Sequence, residues 1–100
     1  MFFEVWIHQF AFGKVEEAVD LMNRWSAYAR TKGMKPGRIL LPEWGNANRL
    51  YDVVEYESRA QRDKSWETLD ETEKSFVKEF RESGVFLPSQ TEHYFFTEAK

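Results

Sequence analysis

The chain contains no cysteine, which excludes disulfides, thiolate nucleophiles and cysteine-ligated zinc or iron–sulfur sites. It also lacks an excess of one charge. Fourteen basic residues against 17 acidic ones leave a formal net charge of -3, with the signs interspersed. Neither a nucleic-acid backbone nor an anionic membrane finds an electrostatic footprint there. No apolar run approaches the roughly 20 residues that span a bilayer, and Phe2-Phe3-Glu4 is not a basic stretch leading into an apolar one. These absences predict a soluble, cytoplasmic chain that engages neither nucleic acid nor membrane.

Aromatic residues are abundant instead: four Trp, four Tyr and nine Phe among 100 residues. A chain of this length forms a single domain over residues 1–100 and removes only about 60 to 65% of its unfolded surface from water. A thin core cannot absorb that many rings, so burial between two copies, a homodimer, is expected.

Residues 2–10 alternate Phe3, Val5, Ile7 against Phe2, Glu4, Trp6, His8, Phe10, a period-2 strand with two chemically different faces. Gly13 breaks it. Val15, Ala18, Val19, Met22, Trp25 and Ala29 then recur at helical spacing up to Gly33. Pro36-Gly37 opens a second strand over residues 38–44, and Gly45-Asn46-Ala47-Asn48 turns it into a third over residues 49–57. Ser58 with Gln61 predicts a capped helix to about Leu69, and Asp70 with Glu73 a second one that carries Phe76, Val77 and Phe80 and ends at Gly84. A last strand follows over residues 90–97. The order βαββαβ, with right-handed crossovers, specifies an α+β, ferredoxin-like fold. It has a four-stranded antiparallel sheet in the order 4-1-3-2 with helices on one face.

The stretch Glu43-Trp44-Gly45-Asn46-Ala47-Asn48-Arg49-Leu50-Tyr51-Asp52-Val53-Val54-Glu55-Tyr56-Glu57-Ser58, continuing Arg59-Ala60-Gln61-Arg62, resembles the NIPSNAP family. Members there carry an acidic-aromatic-glycine turn, an Asn-Arg pair, a strand ending in Tyr-acidic-Ser, and a helix opening with Ala and a basic residue. The likeness covers roughly residues 3 to 70 and implies a dimeric α+β barrel, in which two sheets pack face to face around a cavity. That superfamily includes cofactor-free monooxygenases, polyketide cyclases, isomerases and haem-degrading enzymes, so the fold alone does not choose a chemistry.

Centring the first strand on the last places His8 opposite His93 on one face, with Asp52 near both. Trp6, Trp44, Val54 and Tyr56 are expected to wall the cavity and bind substrate. This predicts a small enzyme or binder acting on an aromatic or polyketide-like molecule, of cyclase, isomerase or monooxygenase type. His8 or His93 serves as general base, Asp52 orients it, and no cofactor is needed. Two histidines and one carboxylate are also ligand types of a facial iron triad, yet no ligand spacing supports a metal. The alternative is a non-catalytic homodimeric interaction module of the NIPSNAP type, its rings spent on packing. Arg59, Arg62 and Lys64 read as a solvated helix face.

Overall fold

The computed structural model describes residues 1–45 and 48–99. Eight elements follow in order: β1 (Phe2–Gln9), α1 (Val15–Thr31), β2 (Arg38–Leu40), β3 (Arg49–Tyr56), α2 (Arg59–Trp66), α3 (Glu71–Glu82), a short 3-10 turn (Pro88–Gln90) and β4 (Glu92–Thr97). The four strands make one antiparallel sheet in the order β2-β3-β1-β4, the expected arrangement read from the other edge.

Local chemistry sets the boundaries. Gly13 takes φ +77° and turns the chain from β1 into α1, a conformation that only glycine adopts without strain. The second strand stops at Leu40 rather than reaching Trp44. Pro42 supplies no N–H to a ladder, so pairing cannot continue. The turn expected at residues 45–48 includes Asn46 and Ala47, which lie outside the described residues. Ser58 caps α2 by accepting the Gln61 N–H at 3.1 Å, while Gln61 Oε1 takes the N–H of Glu57 at 2.6 Å, one residue earlier than a capping box requires. Asp70 caps α3 through the Thr72 N–H at 3.0 Å, and the same carboxylate accepts the Tyr28 hydroxyl and pairs with Lys32. The start of α3 is thereby tied to the end of α1. Pro88 opens the 3-10 turn, and β4 accordingly begins at Glu92 rather than at residue 90.

One face of the sheet meets the helices. Phe10, Ala18, Leu21, Met22, Leu50 and Phe86 form the buried cluster, with Trp25, Phe76 and Phe80 packed against it. The other face carries Val5, Val53, Tyr94, Tyr51 and Leu40, paired by register, with Phe96 opposite Phe3. No element of the described chain covers it.

A close approach fixes the start of β2. A Cβ placed on Gly37 would overlap Asp52 Oδ1 and sit 3.2 Å from Val54 Cγ2, so a glycine at this position makes room for the buried carboxyl. Gly37→Ala is expected to cost about 1 to 3 kcal/mol in urea unfolding, and clearly less when introduced into Asp52→Ala. An equal cost in both backgrounds would rule out this overlap as the cause.

Candidate functional site

Glu4 and His8 of β1 and Asp52 of β3 lie on the helix-covered face, not on the open one. Glu4, His8 and Asp52 are all buried there. The reason lies in the pleat: Glu4, Trp6 and His8 alternate with Val5 and Ile7 and share their face with Phe10, which packs in the core beneath α1. Trp6, His8 and Asp52 border a cavity formed within one chain, between its sheet and its helices.

Glu4 is the electrostatic centre. It is fully buried, and Arg62 of α2 grips it with two hydrogen bonds, Nε to Oε1 at 3.1 Å and one terminal nitrogen to Oε2 at 2.6 Å. The Tyr56 hydroxyl donates to Oε1 at 3.4 Å, and His93 Nε2 lies 2.7 Å from Oε2. A carboxylate at that distance accepts a hydrogen bond from Nε2, so Nε2 carries a proton. Arg62 also lies over the Trp66 ring at 4.6 Å. It is therefore not part of a solvated helix face as expected. A strand glutamate with no neighbouring cation in sequence was the signal that a distant arginine had to answer it.

The register changes the relation between the histidines. His93 stands opposite Trp6 in β4, and Asp52 stands opposite Trp6 in β3, whereas His8 faces Leu50. All share one face, but Trp6, not a histidine pair, is the centre of the row. Its indole stacks on His93 at 3.6 Å and lies parallel to the His8 ring at 6.0 Å. His8 itself meets Phe80 and Phe86 edge-on. No hydrogen bond among the described residues links Asp52 to either histidine. The assignment of Asp52 as the group that orients a histidine has no geometric support.

A cavity of about 330 Å³ opens between sheet and helices, bordered by Trp6, His8 and Asp52 below and by Trp25, Phe76 and Phe80 of α1 and α3 above. Tyr56 and Val54 are buried on the same face without bordering it, and Trp44, 91% exposed in the β2–β3 connection, does not border it either. Trp25 and Phe76 carry helical spacing that reads equally as core, so their role at the cavity had no separate sequence signal. Among the described residues no cluster of His, Asp and Glu is arranged to hold a metal ion.

Burial pulls the ionisable groups of the cavity in opposite directions. His8 is lowered from 6.5 to about 4, first by desolvation and then by repulsion from His93. Asp52 is raised from 3.8 to about 7, first by desolvation and then by the negative charge of Glu4. Burial pushes Tyr56 up to about 12. At neutral pH the cavity thus holds an uncharged imidazole and a carboxyl poised between its two states. His8 Nδ1, Asp52 Oδ1 and Thr91 Oγ1 are buried without a hydrogen-bond partner.

The arrangement is a ferredoxin-like α+β sandwich with an aromatic cavity between its layers, and several solved structures share its fold. An uncharacterized NIPSNAP domain protein from Burkholderia xenovorans superposes with a TM-score of 0.79 at 18% identity, covering 99% of this chain and 95% of that one. A protein from Agrobacterium tumefaciens gives 0.78 at 16% identity over 100% and 95% of the two chains. A NIPSNAP family protein from Agrobacterium tumefaciens gives 0.72 at 18% identity over 98% and 92%. The chain therefore has the fold of NIPSNAP domain proteins. No protein-family model matches it, and no curated protein is significantly similar.

The opposed shifts predict a compensated pH dependence of stability. The lowered His8 favours the folded state above about 6.5 and loses that contribution as pH falls toward 4. The raised Asp52 favours it below about 4 and loses that contribution as pH rises through 7. Each shift is worth on the order of 3 kcal/mol. Denaturant titrations between pH 4 and 7 should find Asp52→Asn gaining stability with pH more steeply than the parent, and His8→Phe less steeply. Parallel profiles for all three would contradict the assignment.

Proposed function

We propose that this chain is a divergent NIPSNAP-type protein that binds a flat aromatic or polyketide-like molecule in the cavity between sheet and helices, and that Asp52 transfers a proton there. The observation that carries this reading is a carboxyl held at about 7 on the floor of an aromatic cavity. A general base works best when its pKa is close to the working pH. His8, pulled to about 4, is too weak a base for that role and serves as a neutral hydrogen-bonding group. Trp6 supplies a stacking surface. His93 holds Trp6 through ring contact and is itself held by Glu4.

Asp52 would remove a proton from carbon next to a ligand carbonyl and return it elsewhere. Cyclisation and isomerisation need no further reactant, whereas a monooxygenase type would also consume dioxygen. The test is α-proton exchange of the bicyclic ketone 2-tetralone in deuterated water, followed by NMR. The protein should accelerate exchange with a rate that rises through pH 7, and Asp52→Asn should lower it about 100-fold. Unchanged exchange in that variant would remove Asp52 as the base.

A second reading, the homodimeric module, draws support from the uncovered sheet face, where Phe96 is 51%, Leu40 50% and Tyr94 42% exposed. Contiguous apolar surface of this kind suits a second copy of the same sheet. Sedimentation should find a dimer that Tyr94→Lys with Phe96→Lys converts to a folded monomer. A parent chain that stays monomeric at high concentration would rule the sheet-to-sheet pairing out.

A further inference from the structure

We propose that the ligand of this cavity carries a carboxylate, seated at the mouth by Arg81 and Thr91, so that the substrate class is an aromatic acid rather than a neutral ring compound. The inference rests on the cavity being a ligand site and adds the charge and orientation of what enters.

Glu73, Val77 and Arg81 all border the cavity from α3. They stand four residues apart, so they form one row along the helix. Eight residues separate the two charged ends, a rise of about 12 Å, too far for Glu73 and Arg81 to neutralise each other. Arg24, Arg49, Arg59 and Arg62 each have a carboxylate partner. Arg81 has none among the described residues, and Val77 and Lys78, its neighbours one turn back along α3, are not acidic. Its position in the last turn of α3 suits the helix dipole, but that does not explain why its side chain borders the opening.

A second observation points to a ligand in the same cavity. Thr91 borders the cavity, and its hydroxyl is buried with no partner, as is Nδ1 of His8. Buried polar atoms of this kind are costly unless something hydrogen-bonds to them. Phe80, one residue before Arg81 in α3, packs on His8 at 4.9 Å, so this turn of α3 lies over the histidine end of the cavity that Arg81 borders. The aromatic interior toward Trp25 and Phe76 takes the ring system. Two carboxyl groups oppose an anion elsewhere: Glu73 at the far end of the mouth, and Asp52 on the floor whenever it is ionised. The anion is therefore confined to the Arg81 end, and a guanidinium receives a carboxylate in two parallel hydrogen bonds.

The probes are 2-naphthoate and its uncharged isostere 2-naphthamide, titrated against the fluorescence of the cavity tryptophans. The proposal expects 2-naphthoate to bind about fivefold more tightly at low salt, the size suited to a guanidinium at a solvent-exposed mouth. That preference should shrink with added salt. Arg81→Gln should abolish it while leaving 2-naphthamide affinity unchanged. Equal binding of the two probes, or a preference that survives Arg81→Gln, overturns the carboxylate assignment and leaves the cavity reading standing. Binding of neither probe overturns both.

Discussion

A carboxylate buried at the middle of a central strand governs this structure. Glu4 has no exposure at all, and an ionised group in that position is tolerable only when its charge and lone pairs are answered. Arg62 answers from α2, a helix of eight residues that buries none of its own side chains. So short a helix has little stability alone. Its seat over the sheet therefore depends on the Glu4–Arg62 pair and on the packing of Trp66 beneath the guanidinium. The same carboxylate holds Nε2 of His93 and adds its charge to the burial that raises Asp52. One carboxylate thus positions the second crossover, holds the ring that stacks on Trp6, and adds to the burial that raises the proton affinity of the cavity floor.

The two faces of the sheet divide the work. The helix side carries the polar row and the cavity, so each chain holds a complete candidate site of its own. The uncovered side carries apolar side chains and offers a surface to a second copy. The proposed ligand site and the proposed pairing surface therefore lie on opposite faces of the sheet. A variant that abolishes pairing leaves Trp6, His8 and Asp52 in place.

Much of this was legible in the residues. The period-2 pattern of β1, the helical spacing of α1 and the caps at Ser58 and Asp70 led directly to element order, and right-handed crossovers then allowed only one sheet order. The grouping of His8, Asp52 and His93 on one face also followed from alternation. What pattern could not supply was register. Sliding β4 by two residues keeps every side chain on its face yet moves His93 from His8 to Trp6. Sequence likewise did not say which face the helices cover, because both faces of β1 are apolar enough to be core. Arg62 read as a solvated residue because its partner lies 58 positions away. Trp44 sat in the segment most similar to the family, yet Pro42 ends the strand before it can reach the sheet interior.

The central claim is that burial and the charge of Glu4 hold the Asp52 carboxyl at about 7 in the folded chain. Carbon-13 NMR of the aspartate carboxyl groups across a pH titration reads this directly. The account predicts one aspartate, assigned to Asp52 by its loss in Asp52→Asn, with a midpoint near 7. A midpoint in the ordinary carboxylate range would mean that the cavity floor is solvated, and the proton-transfer role would be lost with it.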